Sequence, residues 1–548
     1  MRRLWLTTLG VLALLLLAAC APPAPKPPPV RQAPAVAAAA PMMLAPWTRP
    51  PKAPPFQLTA ADGTGLVLSA VAASTSIEDP LALTELRLVF ENPTDNILEG
   101  RFSFTLPEGA ALSRFAMRVA GRWQEAEVVE KQRARVSYED FVHRRVDPAL
   151  LERGAGNELA VRIFPIGRHE KRELVVTYSE ALSRDVPFRL RLAGLPRVGK
   201  LQSSVHAAGQ LVAHEEHEQW IPEDVVVPVG RWSTLDAVAL RAGASVVARA
   251  RIPDDESEAA PIESLIALVD TSASRAADLG DEIEALRSLT ASLPPETSVR
   301  VACFDQAVAP VFSGRASELG EATFARIRSR QALGASDPAA ALAWAATAAR
   351  GVQGPKHRLL LLSDGVFTRG SSRASDVAAA AKVLRGAGIV RVDAIAFGSV
   401  RDEAALSTIV TQALEGSGVV VPLDAGQEVI ARKLGRAVLA PMKVSIPGAT
   451  WSYPTSVAVQ PGDEVVVHAE VAPERQKLQL KLGDKAIDLE RSTGSRAFVE
   501  RAVAQARIRE IEASGASSEK QRRDSIALSL RHRIVTRDTA MLVLEKDS

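Results

Sequence analysis

The chain has 548 residues, which at roughly 150 residues per domain corresponds to three or four folded units, and 47% of its residues are hydrophobic, enough for sizeable cores. It carries 66 Lys and Arg residues against 64 Asp and Glu residues, a balance that argues against nucleic-acid binding, which requires a basic surplus. Two cysteines allow at most one disulfide, so a scaffold held by several disulfides is excluded.

The N-terminus carries two arginines and then an apolar run over residues 4–19, too short for a membrane span and typical of a secretory signal peptide. The run ends in LAAC, which resembles the lipobox of bacterial lipoproteins. The resemblance implies a signal peptide over residues 1–20 and a diacylglycerol on Cys20, with an ordinary cleaved leader as the alternative. Ala21 implies sorting to the outer membrane, so we expect a lipid-anchored protein of the bacterial cell envelope.

Residues 21–56 form a Pro/Ala-rich linker that contains 13 prolines. Proline favours extended polyproline II geometry, and at ~3.1 Å per residue the segment could reach on the order of 100 Å. We expect a tether, with a ligand for a proline-reading domain as the alternative use.

The next segment has the period-two pattern of half-buried strands, for example over residues 85–90 and 101–106. Residues 91–96 between them are rich in turn formers and predict a hairpin-like connection in an antiparallel sandwich. The polar stretch over residues 128–152 has helical spacing only in part.

Four blocks of this segment resemble a known module: FSFTLPEGAALSRFAMRVAGRW, EKQRARVSYEDFV, DPALLE and VRIFPIGRHEKRELVVTY. They resemble the VIT domain, the vault and inter-alpha-trypsin module also found in inter-alpha-trypsin inhibitor heavy chains. The resemblance implies an antiparallel β-sandwich over residues 57–182. The blocks point to no catalytic group, and we expect Tyr138 to pack in the core.

Strands and helices alternate farther along the chain. The apolar run over residues 262–269 precedes a predicted helix over 276–293, and a strand over 299–304 and a helix over 338–350 precede a strand over 359–362. This alternation predicts a doubly wound, mostly parallel sheet with helices on both faces, and ligands bind such sheets beyond the carboxyl ends of the strands.

Three sequence pieces lie at those strand ends or on a nearby loop: Asp270-Thr-Ser272-Ala-Ser274, then Ser336, then Asp364. Together they resemble the von Willebrand factor A domain, with its six-stranded sheet, over residues 262–425. The resemblance implies a metal-ion-dependent adhesion site formed by these five residues. Ser336 replaces the usual threonine and keeps its oxygen ligand.

The residue types suit Mg²⁺, or Mn²⁺ or Ca²⁺ in its place, because a hard cation takes oxygen ligands and keeps waters that a ligand can displace. We therefore expect a protein partner that offers a carboxylate to the metal. The alternative is that Asp270 and Ser272 only cap a helix. Asp337 before Pro338 predicts a helix start, and Cys303 within its apolar strand predicts a buried, inert thiol.

Two β-rich segments, 183–261 and 426–490, flank the α/β unit, and the second begins with a connecting helix. We hypothesise that these segments pair into one sandwich into which the α/β unit is inserted; separate β domains are the alternative. Residues 491–548 predict a helix and a strand, because Ala504, Ile508 and Ile511 share one helix face.

No nucleophile elbow or phosphate-binding loop is visible. His214-Glu-Glu-His217-Glu218 lacks the second histidine of a zinc-protease motif and predicts a solvated polar turn. We therefore expect no enzyme. The leading hypothesis is a membrane-anchored lipoprotein with a metal-dependent protein-binding site for adhesion or envelope scaffolding. The alternatives are an architectural β/VIT module without functional metal binding and, remotely, an envelope hydrolase.

Overall fold

The computed structural model describes residues 55–60, 63, 65–119, 121–143, 149–254, 258–276, 278–330, 332, 334–350, 356–370, 373–414, 418–514 and 518–543. The predicted signal peptide, Cys20 and nearly all of the linker lie outside these residues. Within them, no helix is long and apolar enough to cross a membrane.

The first β unit contains a six-stranded sheet whose members come from both ends of the described chain. In spatial order its strands are β1 (Phe56–Ala60), β4 (Leu98–Thr105), β9 (Glu158–Ile166), β8 (Ala149–Arg153), β29 (Thr539–Val543) and β7 (Glu127–Glu130). Strand β29 pairs antiparallel with both β8 and β7. The C-terminal strand therefore completes the sheet that the N-terminal segment begins.

The second sheet of this unit has seven strands. In spatial order they are β13 (Gln210–Trp220), β12 (Val198–Ala207), β2 (Val67–Glu78), β3 (Leu81–Glu91), β10 (Lys171–Ala181), β5 (Ala111–Val119) and β6 (Arg122–Glu125). Strand β11 (Phe188–Leu190) pairs with β14 (Val225–Val227) in a two-stranded ribbon, and in the sequence these two strands directly precede β12 and directly follow β13. Residues 188–227 thus belong with the first unit.

The two sheets enclose one apolar core, in which Phe56, Phe102 and Phe104 of the first sheet join Val71 and Leu88 of the second. This is the predicted sandwich, and its strand pairs are antiparallel except for β2 with β12. The predicted hairpin over residues 91–96 is wrong, because β3 and β4 lie in opposite sheets. Alternation shows that a strand is half-buried but not which strand it pairs with.

A helix, α1 (Lys131–His143), lies within the polar stretch that showed only partial helical spacing. It packs on the six-stranded sheet through Ala134 and Tyr138, against Leu150 and Leu542. Tyr138 is 2% exposed, which confirms its predicted place in the core.

The α/β unit has a six-stranded sheet in the order β19 (Val308–Arg315), β18 (Ser298–Phe304), β17 (Ser264–Asp270), β20 (His357–Ser363), β21 (Ile389–Ala396) and β22 (Val420–Pro422). Only the β18–β19 pair is antiparallel. Apolar clusters cover both faces of the sheet. The predicted doubly wound, mostly parallel architecture is confirmed.

Three helices pack on each face of this sheet. One face carries α2 (Leu279–Ala291), α3 (Glu321–Arg328) and α7 (Gln427–Gly435), and the other carries α4 (Pro338–Arg350), α5 (Ala374–Ala381) and α6 (Glu403–Gln412). Cover on both faces explains why every residue of β17 is buried and why residues 265–269 within it are all apolar.

Strands from before and after the α/β unit share one eight-stranded sheet. Its order is β24 (Ala449–Tyr453), β26 (Glu464–Val471), β16 (Ser245–Arg251), β15 (Ala237–Ala242), β28 (Lys485–Thr493), β27 (Leu478–Leu482), β23 (Met442–Ser445) and β25 (Ser456–Val457). Strand β16 pairs with β26, and β15 pairs with β28. The predicted pairing of the two flanking segments is therefore confirmed for residues 237–251, but the paired strands share one sheet and not the sandwich that the hypothesis named.

Two further helices, α8 (Arg496–Ala513) and α9 (Glu519–His532), connect this sheet to β29. Phe498, Val499 and Val503 of α8 pack against Leu240 of the eight-stranded sheet and Leu81 of the sandwich. Helix α8 thus contacts both β units. Short 3-10 helices occupy Val229–Arg231, Ala273–Arg275, Ala316–Glu318, Lys382–Leu384 and Leu423–Ala425.

The His214–Glu218 segment lies in the edge strand β13 and not in a polar turn. Its residues are mostly exposed, and charged side chains on an edge strand oppose pairing with another chain.

Candidate functional site

The candidate site lies where two parallel strands of the α/β sheet end. Strand β17 ends at Asp270, the neighbouring strand β20 ends at Ser363, and Asp364 follows directly. A third segment joins them, because Ser272 bridges to Gly334 and the Ala273 N–H donates to the Gly334 carbonyl at 2.8 Å. Segments far apart in sequence therefore meet at the carboxyl edge of the sheet.

Asp270 is fully buried and accepts hydrogen bonds on both carboxylate oxygens. Its Oδ1 accepts from the Ser272 N–H at 2.9 Å, and its Oδ2 accepts from the Ser336 hydroxyl at 3.0 Å and the Ser363 hydroxyl at 2.7 Å. Ser272 Oγ lies 3.1 Å from Ser274 Oγ. Four of the five predicted ligands are thus linked by hydrogen bonds.

Asp364 joins the group by a different route. Its Oδ1 accepts from the Val366 N–H at 2.8 Å, and its Oδ2 accepts from Arg275 Nη1 at 3.1 Å. Among the described residues, no hydrogen bond connects the Asp364 side chain to the other predicted ligands. Asp364 nevertheless follows the strand that pairs with β17 beside Asp270, and burial and then the charge of Asp364 raise the pKa of Asp270 to about 6.

Arg275 and Glu282 are central to the site and were missed in the sequence. Arg275 is 1% exposed, and its Nε donates to Glu282 Oε1 at 2.6 Å while its Nη2 donates to Asp278 Oδ2 at 2.8 Å. Glu282 is fully buried on α2, and this burial raises its pKa well above the ordinary value. The sequence did carry a signal for Glu282, because this carboxylate shares the apolar face of α2 with Leu286 and Leu289.

The buried charges do not cancel. Three carboxyl groups, those of Asp270, Glu282 and Asp364, are at most 1% exposed, and Arg275 is the buried cation that contacts two of them. If all three carboxyl groups ionise, two negative charges remain uncompensated among these groups, and no described residue donates a hydrogen bond to the buried Glu282 Oε2. Uncompensated buried charge is costly, so this arrangement favours a bound cation or bound protons.

The donor set fits a small hard dication. It offers two carboxylates and three hydroxyls, and hard cations such as Mg²⁺ take oxygen ligands and retain waters. Ser274 is exposed, so the set opens to solvent on that side. The described residues form no cluster of three or more His, Cys, Asp or Glu side chains placed to hold a metal, so hydroxyls and water would have to complete the shell.

The neighbouring residues support the ligand loops. The Ser336 N–H donates to Thr368 Oγ1 at 3.0 Å, and the Ser336 carbonyl accepts from the Thr368 and Arg369 N–H groups. Asp337 Oδ1 accepts from the Ala340 N–H at 3.1 Å, which confirms that it starts helix α4. Cys303 is fully buried, as predicted, and burial raises the pKa of its thiol to about 12, which disfavours the reactive thiolate.

The sandwich contacts the loop that supports Asp364. The Asp402 N–H donates to the Asp364 carbonyl at 2.7 Å. On the other side of that loop, Asn157 Oδ1 accepts from the Arg401 N–H at 3.0 Å and Asn157 Nδ2 donates to the Ser399 carbonyl at 3.1 Å. One loop therefore connects the sandwich to the candidate site.

Comparison with known families agrees with both resemblances. Residues 68–178 match the family described as the Vault protein inter-alpha-trypsin domain, and residues 263–417 match the family described as the von Willebrand factor type A domain. The chain thus contains a VIT domain and a VWA domain. No curated protein matches the chain.

Solved structures to which parts of this chain are similar include an aerotolerance-related membrane protein from Bacteroides fragilis, at 15% identity and a TM-score of 0.25 over 31% of this chain and 98% of that chain. BatB from Bacteroides thetaiotaomicron is 14% identical, with a TM-score of 0.26 over 31% of this chain and 96% of that one. A von Willebrand factor type A protein from Catenulispora acidiphila is 16% identical, with a TM-score of 0.30 over 54% and 84%.

Proposed function

We propose that this chain, which contains a VIT domain and a VWA domain, is a lipid-anchored envelope protein whose VWA domain binds a partner protein through a divalent metal ion. The main support is the hydrogen-bonded set of Asp270, Ser272, Ser274 and Ser336 at a sheet edge, with Asp364 directly after the strand that pairs with β17.

The metal would be held by oxygens of Asp270, Ser272, Ser274, Ser336 and Asp364, and it would supply an electrophilic centre for a partner's carboxylate. Asp270 is the anchor of the set, because it is a buried carboxylate that must ionise to bind a cation. Ser336 and Ser363 orient it by donating hydroxyl protons to Oδ2. The three hydroxyls add ligands without adding charge, which leaves the metal able to attract an acidic group.

Calorimetric titration of the full chain with Mn²⁺ and Mg²⁺ tests the metal. Asp270→Asn keeps the shape of the side chain and removes its charge, so it should abolish the binding heat. Asp376→Asn is the matched control, because Asp376 is an exposed carboxylate on α5 of the same domain. Equal heats for the wild type and Asp270→Asn would contradict the proposal.

The partner and the anchor require separate tests. Pull-down from envelope extract should recover a protein in Mg²⁺ but not in chelator, and Asp270→Asn should lose the same protein.

Cys20→Ser should move the chain from the membrane fraction to the soluble fraction. Retention of the variant in the membrane fraction would contradict lipid anchoring at Cys20.

One observation favours the architectural alternative, in which the VWA domain binds no metal and serves as a packing module. Both oxygens of Asp364 already accept hydrogen bonds, from Arg275 and from the Val366 N–H. In that case wild-type protein and Asp270→Asn would show no Mn²⁺ heat, and partner capture would persist in chelator.

A further inference from the structure

We propose that Arg275 is an internal counter-cation of the metal site, which holds Asp364 while the site is metal-free and weakens the binding of a dication. This inference rests on the proposed function, because it concerns the regulation of that same site. It assigns a role to a side chain that directly follows the Asp-x-Ser-x-Ser segment and was not among the predicted ligands.

The geometry places the guanidinium among acidic groups on three sides. Nη1 lies 3.1 Å from Asp364 Oδ2, Nε lies 2.6 Å from Glu282 Oε1 and Nη2 lies 2.8 Å from Asp278 Oδ2. A guanidinium does not deprotonate in proteins, so this positive charge is permanent. Since Arg275 is 1% exposed, water screens it poorly from the rest of the site.

The surrounding backbone leaves room for this side chain. Gly398, in the loop after β21, has a φ of +80°, and a Cβ atom built there would lie 2.9 Å from Arg275 Nη1. Any larger residue would press on the guanidinium that contacts Asp364. The loop thus accommodates Arg275 at the position where it reaches the predicted ligand.

A dication that binds through Asp364 must share that carboxylate with Arg275. Asp364 Oδ1 accepts from the Val366 N–H and Oδ2 accepts from the guanidinium, so a metal bound at either oxygen would share the charge of this carboxylate with Arg275. Two like charges around one carboxylate repel each other, and in a buried site the repulsion exceeds that in water. Arg275 also lowers the net negative charge of the buried carboxyl groups, which reduces their attraction for a cation.

Mn²⁺ titration of the full chain, wild type against Arg275→Gln, tests this role. We expect the variant to bind Mn²⁺ about tenfold more tightly, which corresponds to about 1.4 kcal/mol, because the repulsive charge is gone. Its metal-free melting temperature should fall, since Glu282 loses its ion-pair partner, and Mn²⁺ should raise the variant's melting temperature more than the wild type's.

Arg275→Lys is the second variant, and it tests the counter-cation role of Arg275 if Arg275→Gln does not fold. It keeps the charge and loses the planar fork, so Mn²⁺ affinity should stay within about threefold of the wild type. The counter-cation role is overturned if the wild type binds Mn²⁺ and Arg275→Gln binds it equally or more weakly. It is also overturned if Arg275→Lys gains tenfold in Mn²⁺ affinity. Either result leaves the proposed function intact. Absence of Mn²⁺ binding in every protein would overturn both.

Discussion

Arg249 connects two β units through a buried guanidinium, and its removal should destabilise the chain strongly. The side chain is fully buried on β16, where Nη1 donates to Glu464 Oε1 at 2.7 Å and Nη2 donates to Asp79 Oδ2 at 2.9 Å. Asp79 lies in the turn between β2 and β3 of the sandwich, whereas Glu464 starts β26 of the eight-stranded sheet. One cation therefore bridges the two sheets.

Arg249→Met keeps the aliphatic stem, removes the cation from Asp79 and leaves Glu464 with the longer, 3.4 Å contact to Arg251 Nη2. Removing one partner of a buried ion pair costs about 3–5 kcal/mol. Glu464 keeps donors from Ser183 Oγ and the Arg184 N–H, so most of the loss should fall on Asp79. At roughly 2–4 °C per kcal/mol for units of this size, the melting temperature should drop by at least about 6 °C.

Arg251→Met is the matched control. Arg251 lies two residues away on the same strand and contacts the same Glu464, but its side chain is 31% exposed. Arg251 is partly solvated and its 3.4 Å contact with Glu464 is long, so we expect its loss to cost about 1 kcal/mol and the control to melt within about 4 °C of the wild type. Differential scanning calorimetry on the full chain measures both variants. Wild-type melting of Arg249→Met, or equal losses in both variants, would refute the bridging role.

Two further predictions follow from the site and from the loop that supports it. Because the pKa of Asp270 is raised to about 6 from an ordinary 3.8, the metal-free folded state binds an extra proton between these values, so stability from this group is lost as pH rises through about 6. Mn²⁺ affinity should rise from pH 5 to about 6 and level off above it, and calorimetry from pH 5 to 8 measures it; an affinity that does not rise below about pH 6 contradicts the assignment. Asn157→Ala removes three side-chain hydrogen bonds and should lower the free energy of unfolding, measured by chemical denaturation, by about 2–3 kcal/mol. The control Asn96→Ala, in an exposed turn, should change this free energy little. Equal effects of the two substitutions would contradict the role of the loop.

The α/β unit could be predicted closely because its signals are local. A strand covered by helices on both faces is a continuous apolar run, and β17 shows that run directly before Asp270. Parallel strands then bring their carboxyl ends to one edge, which makes Asp364 a neighbour of Asp270 without any knowledge of the rest of the fold.

Strand pairing in the β units could not be predicted in the same way. Strand β29 lies between β8 and β7, hundreds of residues earlier in the chain, and its own sequence carries no mark of those partners. Similarly, residues 188–227 and 237–251 both look like half-buried strands, yet the first group joins the sandwich and the second joins the eight-stranded sheet. The partner is chosen by tertiary packing, which period-two alternation does not encode.

The missing part of the site was a charge network. The five predicted ligands follow from a motif, but Arg275 and Glu282 belong to no motif and meet only when the 3-10 helix Ala273–Arg275 turns back toward α2. A carboxylate on the apolar face of a helix is the signal to look for, because its burial requires a partner.

Mn²⁺ diffused into crystals of the protein, with anomalous diffraction recorded at the manganese edge, tests the metal site most directly. We predict one strong peak within coordination distance of the Asp270 carboxylate and the hydroxyls of Ser272, Ser274 and Ser336, beside Asp364. A peak at another place, or density for Arg275 alone against Asp364 at saturating Mn²⁺, would contradict the account.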